Sequence, residues 1–349
     1  MAEQLAFGIV GCGEIAVQTA KGIAQAGNAR VARAMDTREE LARDLGEVYG
    51  VPWSARLEDV LEDPAVQAVY IAVPHDLHAE IAVRAAQAGK HVLCEKPICT
   101  TLADADQMIV AARKAGVGLG LPFAGLTSAA NRQVKLWLDE GALGRLIGLQ
   151  VTNVAAKPES YWHGGYSGRA RDDWRMSRAR AGGGYLIMNL VYEVNDLRAI
   201  TGMKPLRVSA EWDAFNTPEV DVEDTISVTV RYDNGAIGNW FAGSAVPGQA
   251  EQYPNGTRLI GTKGQIILGH PLRIYVEEDY PGLAPRRWHE VRVEEEPGSD
   301  RSRRIRPFAA AVLAGERPPV TGEDGREALA FILAAYESGD THQVVTLQG

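Results

Sequence analysis

Cysteine is scarce in this chain: Cys12, Cys94 and Cys99 are the three in 349 residues. An odd number without paired metal-ligand spacing argues against a disulfide framework and against a sulfur-held metal, and no metal is expected. Reduced thiols and a cytoplasmic protein follow. Long apolar runs are also missing, so no membrane span is expected. The start, "MAEQLAFGIVGCG", lacks the basic flank, apolar stretch and cleavage site of a signal peptide. Positive charge is in the minority, with 36 Lys and Arg against 45 Asp and Glu, a net charge of -9 that argues against general nucleic-acid affinity. The basic run "RSRRIRPF" reads as the solvated start of a helix. Low-complexity segments and repeats are absent. The length suffices for two domains of ordinary size whose cores need no cross-links.

What is present begins with an alternation of short apolar runs and amphipathic stretches, the pattern of β-α units around a parallel sheet. "LAFGIV", "RVARAMD", "QAVYIAV", "KHVLCE" and "GVGLGLPF" read as strands, with helices between them. The rhythm ends near Ala124, which places a first domain at 1–124 and a second at 125–349. After the helix "AANRQVKLWLDEG", the second domain turns to longer strands: "RLIGLQVTNVAA", "LRVSAEWDAF", "DTISVTVRY", "AIGNWFAGSA" and "GTRLIGTKGQIIL". Turns such as "YDNGA" predict a large, mainly antiparallel sheet with one face covered by helices and the other open to a second copy of the chain. The late helix "GREALAFILAAYESG" is amphipathic and is expected to pack back on the body.

Gly11, Gly13 and Ala16 fit G-x-G-x-x-A between the first strand and the first helix. The first glycine permits the turn, the second lets a pyrophosphate approach the backbone, and the small third residue allows close packing. The amides at Glu14 and Ile15 open the helix toward the phosphates. Asp36, followed by Thr37 and Arg38, ends strand two at the spacing of a ribose-binding acid. Its carboxylate favours NAD. Arg38 can cover a 2′-phosphate, so NADP stays open.

Two further segments, "IAVPHDLHAEIA" and "AGKHVLCEKPICTTLADAD", lie where parallel strands end, which is where α/β proteins bind ligands. With Gly11-Cys12-Gly13, Asp36, the strand end Val73-Pro74 with His78, and the run Glu95-Lys96-Pro97, the chain resembles the Gfo/Idh/MocA oxidoreductases. The resemblance extends through "DWRMSRARAGGGYLIMN" to "TGEDGREAL". It implies an α/β protein, a Rossmann dinucleotide-binding domain followed by an α/β domain with a large open sheet. It also implies a nicotinamide cofactor, a sugar, inositol or related polyol as substrate, and a site lysine at Lys96. An ammonium there stabilises the alkoxide that develops as hydride leaves. The Lys96-Pro97 peptide bond is expected to be cis, and His78 to cap or line the cofactor pocket.

The segment "ESYWHGGYSGRARDDWRMSRARAGGG" is long and irregular, which in a compact domain often signals function. Tyr161, Trp162, His163, Tyr166, Trp174 and Arg175 are its candidates for stacking or hydrogen bonding to a polyol, with Trp174-Arg175 the pair most like the family. Packing is the other role open to each.

The family carries a histidine and an aspartate three residues apart after G-G-G-x-L. Here those positions hold Tyr192 and Asn195. Asn189, Tyr192 and Asp196 share a polar stripe on an otherwise apolar helix, which must find partners or face a cavity. An unperturbed tyrosine has a pKa of about 10, too high for it to be present as the base at neutral pH. A lysine ammonium at ~4 Å with an effective dielectric of ~20 would favour the tyrosinate by ~4 kcal/mol before desolvation opposes it. Lys96, Tyr192 and Asn195 are therefore the catalytic candidates. The expected activity is hydride transfer between nicotinamide and a secondary carbinol. A cofactor-binding regulator without turnover, and a lyase or glycosidase using hydride transiently, are the alternatives. A homodimer or homotetramer is expected.

Overall fold

The computed structural model describes residues 3–215, 217, 220–246 and 255–347. Strands β1 (Leu5–Val10), β2 (Ala29–Met35), β3 (Trp53–Ser54), β4 (Ala68–Ile71), β5 (His91–Cys94) and β6 (Leu119–Gly120) form one parallel sheet in the order β3-β2-β1-β4-β5-β6. β1 and β4 are buried along their whole length, as strands with helices on both faces must be. The connecting helices are α1 (Glu14–Gln25), α2 (Glu39–Tyr49), α3 (Glu58–Leu61), α4 (His78–Gln87) and α5 (Leu102–Ala115). The hydroxyl of Thr101 caps α5 by accepting from the Asp104 amide, and left-handed Gly116 ends it. β3 and α3 are too short to leave a periodic signal and were not legible in the sequence.

Helices α6 (Ala129–Asp139), α7 (Arg178–Ala181), α8 (Val191–Thr201), α9 (Asp300–Leu313) and α10 (Gly322–Thr341) follow, along with strands β7 (Leu146–Val154), β8 (Pro205–Asp213), β9 (Thr225–Tyr232), β10 (Ile237–Gly243), β11 (Gly256–Gly261), β12 (Gly264–Leu268), β13 (Leu272–Val276), β14 (Arg287–Val291) and β15 (Val345–Thr346). The second sheet runs β14-β13-β12-β11-β7-β10-β9-β8-β15. It is antiparallel except where β7 and β10 pair in parallel. Along β9 and β10 buried and exposed residues alternate, the mark of a sheet covered on one face. Trp240 on the covered face lies 5.4 Å from Phe331 of α10. "GTRLIGTKGQIIL" reads as one strand in the sequence but is the hairpin β11-β12, paired across Thr257↔Leu268.

By packing, the chain divides into two units that are not contiguous in sequence. Unit 1 comprises Met1–Thr127, Pro158–Gly182 and Pro297–Leu329; unit 2 comprises Ser128–Lys157, Gly183–Glu296 and Ala330–Gly349. The segments 158–182 and 297–329, assigned by sequence order to the second domain, thus pack with the first. Ile305, Phe308, Ala309 and Val312 of α9 belong to the apolar cluster that holds Phe7, Ile9, Ala20 and Ile23. An amphipathic helix settles where its apolar face fits, whatever its place in the chain. "RSRRIRPF" is accordingly no solvated run. Arg304 donates to the Pro122 carbonyl and Arg306 to that of Ala26, while Ser302, Ile305 and Phe308 are buried.

Candidate active site

At the first β-α turn Gly11 has φ +87°, and a Cβ there would stand 2.5 Å from the Ala72 carbonyl oxygen. Only glycine fits. Gly13 caps α1, whose first turn presents the half-buried Glu14 and Ile15. The Asp36 carboxylate accepts from the Cys12 amide at 2.8 Å and the Arg38 amide at 2.9 Å. Both oxygens are thereby fixed beside the turn, and each retains acceptor capacity for a ribose hydroxyl. Backbone open to a pyrophosphate and an acid placed for a ribose fit a dinucleotide. Thr37 and Arg38 are exposed, and Arg38 donates to Glu40. The Glu14 side chain is engaged elsewhere: it accepts from the amides of Tyr166 and Ser167 at 2.8 and 3.0 Å. Arg169 on the same loop donates to the carbonyls of Cys12 and Leu41 and pairs with Asp44. Any contribution of Glu14 to a phosphate therefore comes from its backbone.

β4 and β5 are neighbours, with Ile71 opposite Cys94, so the chain leaves both at the same edge of the sheet. After β5 come Glu95, Lys96 and Pro97, with the Lys96-Pro97 bond cis as expected. Lys96 and Val73 are half-buried, as is Pro74 at the end of the neighbouring strand. Glu95 is buried and accepts from the Tyr70 hydroxyl at 2.6 Å, from Arg301 at 3.3 Å and from the Lys96 amide at 3.2 Å. Burial pushes its carboxyl up, but the charges of Arg301 and Lys96 and the hydrogen bonds outweigh that and hold it below the usual range. An ionised, fully partnered carboxylate therefore anchors the backbone that presents Lys96.

His78 is 0% exposed, with Nδ1 2.9 Å from the Pro97 carbonyl and Nε2 3.0 Å from that of Val73. Both nitrogens face carbonyls, of Pro97 and of Val73, and because burial keeps the ring neutral one of them donates; neither is turned toward a cofactor. His75, three residues earlier, makes a single hydrogen bond among the described residues, from Nδ1 to the Ala181 carbonyl at 2.8 Å. Its ring meets Trp174 edge-on at 4.4 Å. Arg175 stacks over Trp174 at 4.6 Å and over Tyr161 at 5.2 Å, and Tyr161 in turn touches Trp162 and Tyr166. Tyr161, Trp174 and Arg175 thus form one cluster with His75. His163 instead pairs with the exposed Asp173 at 2.9 Å.

In unit 2 the glycine run has a structural cause. A Cβ on Gly183 would collide with the ring of Tyr336, and one on Gly184 with Glu223. Buried Glu223 accepts from the amides of Gly184 and Leu186 at 2.5 and 2.7 Å and from the Tyr336 hydroxyl at 2.9 Å. The chain then makes a π turn, Leu186–Leu190, before α8. Such turns widen a helix locally and are frequent at functional sites. Asn189, Tyr192 and Asp196 are half-buried. Asn195 is buried and donates to Asp196 at 3.3 Å, which makes it a support of the polar stripe rather than part of its surface.

The sequence matches the oxidoreductase family with an NAD-binding Rossmann fold, GFO/IDH/MocA, over residues 5–123, and the GFO/IDH/MocA C-terminal domain over residues 131–267. The chain belongs to the GFO/IDH/MocA oxidoreductase family. It is 30% identical over 348 residues to 1,5-anhydro-D-fructose reductase of Ensifer adhaerens, with 98% of each chain covered. It is 28% identical over 349 residues to myo-inositol 2-dehydrogenase of Thermotoga maritima, again with 98% of each covered. Among solved structures, the aldose-aldose oxidoreductase of Caulobacter crescentus complexed with glycerol superposes with a TM-score of 0.84 at 26% identity, covering 99% of this chain and 100% of the other.

This GFO/IDH/MocA protein is an enzyme with a nicotinamide cofactor. Several of its site residues escaped the sequence analysis. Arg301 sat in a run read as solvated, Glu223 and Tyr336 lie outside every motif, and Arg169 was one arginine among several. His75 does leave a signal, a second histidine in "VPHDLH".

Proposed function

We propose that the enzyme interconverts a secondary hydroxyl and a ketone on a sugar, inositol or related polyol with NAD(H). The anchoring of Lys96 supports this most directly: the buried Glu95 with its Tyr70 and Arg301 partners holds the lysine at the sheet edge, at the end of β5. When bound, nicotinamide supplies or accepts hydride at C4. Lys96 places an ammonium on the reacting oxygen and stabilises the developing alkoxide. Tyr192 carries the proton, Asn189 orients the substrate, and Asn195 acts through Asp196. Tyr161, Trp174 and Arg175 bind the sugar, as a polar aromatic cluster suits a face of C–H bonds edged with hydroxyls. The relatives' names, an anhydrofructose reductase and an inositol dehydrogenase, support this substrate class.

The test is a panel of sugars and polyols with NAD⁺ and NADP⁺, read by the absorbance of the reduced cofactor. Net NADH formation is expected; product release without it would favour a lyase or glycosidase. Lys96→Ala abolishes turnover while NADH affinity stays within about an order of magnitude. Tyr192→Phe lowers kcat by about two to four orders of magnitude. Near-normal kcat in either variant removes that residue from the mechanism.

The three cysteines are unpaired and buried, in keeping with a cytoplasmic protein, and no helix among the described residues is long and apolar enough to cross a membrane. Ile237 and Phe241 are exposed on the open face of the second sheet. That supports a homodimer or homotetramer, which light scattering would measure.

A further inference from the structure

His75 is unusual for what it leaves unused. It is 6% exposed, and among the described residues its one hydrogen bond is that of Nδ1 with the Ala181 carbonyl. A carbonyl only accepts, so in the neutral ring Nδ1 carries the hydrogen, and Nε2 presents a bare lone pair. The residue is buried, yet Nε2 is not among the polar atoms sealed away without a partner, so it is left able to accept from a bound group. The ring stands at the carboxyl edge of the parallel sheet. It follows β4 by four residues, as Lys96 follows neighbouring β5 by two.

Its surroundings keep it neutral. Burial lowers its pKa well below the ordinary histidine value, and His78, Lys96 and Arg175 push the same way, opposed by the Ala181 carbonyl. Lys96 comes from the loop after β5, Arg175 from the 158–182 segment, and His78 lies 5.5 Å away on α4. The nearby acid Asp76 is exposed and paired with Arg180, which also pairs with Asp172. A ring so placed is a poor base. It is instead an acceptor that stays an acceptor across the working pH range, with a tautomer fixed by its other nitrogen.

We propose that His75 is a hydroxyl-reading residue, whose Nε2 accepts a hydrogen bond from a hydroxyl group bound beside Lys96. This rests on the reading of the Lys96 edge as the reaction site but not on any role for Tyr192. Two sources share that chemistry, the nicotinamide ribose and a hydroxyl of the polyol next to the reacting carbon. An acceptor so placed confers selectivity, because a ligand that covers it without supplying a hydroxyl leaves the nitrogen unpaired.

The experiment is nitrogen NMR of the full-length protein with labelled histidine, free, with NADH, and with NADH plus saturating myo-inositol. In the free protein His75 is the Nδ1–H tautomer at pH 7, and Lys96→Met raises its titration midpoint. A change in the Nε2 signal on adding NADH assigns the donor to the ribose; a change that waits for myo-inositol assigns it to the sugar. An Nε2–H tautomer, an imidazolium at pH 7, or an Nε2 signal indifferent to both additions overturns the proposal. These arms need no turnover, so they separate this inference from the polyol reading. His75→Asn keeps a donor for the Ala181 carbonyl but removes the acceptor. It weakens NADH binding, or raises KM for the polyol that turns over, by about tenfold. His75→Gln, whose amide oxygen reaches the Nε2 position, restores part of the loss. Loss of the same size in both variants, with a lowered melting temperature, would assign His75 to packing alone.

Discussion

Asp36 shows how much one side chain decides. Its carboxylate is held by the Cys12 and Arg38 amides, so it cannot swing away from the ribose edge of the turn. A 2′-phosphate would meet a fixed negative charge, and the Arg38 guanidinium, engaged with Glu40, is not committed to offsetting it. NAD(H) should therefore bind more tightly than NADP(H), and Asp36→Ala should narrow or reverse the preference by removing the repulsive group. Calorimetry with both cofactors measures this. A wild-type preference for NADP, or unchanged discrimination in the variant, would place the selective charge elsewhere.

At the scale of one element, the π turn and α8 depend on a residue far from them in sequence. Burial pushes the Glu223 carboxyl up to about 7, against the pull of the Leu186 amide, the Tyr336 hydroxyl and the Gly184 amide. A carboxyl whose folded pKa exceeds its unfolded value of 4.5 binds its proton more tightly when folded. Its stabilisation is fully present below about pH 4.5 and is lost as pH rises through about 7, a swing of roughly 3 kcal/mol. Wild type should therefore lose stability between roughly pH 5 and 8, and Glu223→Gln should flatten that slope whatever its offset. Thermal melts across that range read the slope directly. Parallel curves for the two proteins would mean that Glu223 ionises without linkage to folding.

At the scale of the molecule, the discontinuity of unit 1 has a thermodynamic consequence. Ile305, Phe308 and Val312 of α9 are buried in the cluster around β1 and α1. At about 1.5–3 kcal/mol for each large side chain, removal of the three costs roughly 4.5–9 kcal/mol, comparable to the whole stability of an ordinary domain. A fragment of residues 1–124, though it contains every strand of the first sheet, should lack a cooperative unfolding transition. Circular dichroism against denaturant would test this. A steep transition near that of the full chain would show that α9 is dispensable to the core.

The sequence by itself determined the periodic elements and the local chemistry of the turns. The alternation of runs before Ala124 specified the parallel sheet, Gly11 and Asp36 specified a dinucleotide turn, and Glu95-Lys96-Pro97 specified the lysine's station. These features are encoded by neighbours in the chain, through dihedral preference, face periodicity and steric need. Tertiary structure alone decided which distant groups meet. Arg301 reaches Glu95 across 206 residues, and Tyr336 reaches Glu223 across 113. It also decided between two histidines three residues apart, setting both nitrogens of His78 against carbonyls while, among the described residues, Nε2 of His75 has no hydrogen-bond partner. No pattern in the sequence carries that distinction. A ring's hydrogen-bond partners depend on where Pro97, Val73 and Ala181 are brought by the packing of separate segments, and that is settled only when the whole core closes.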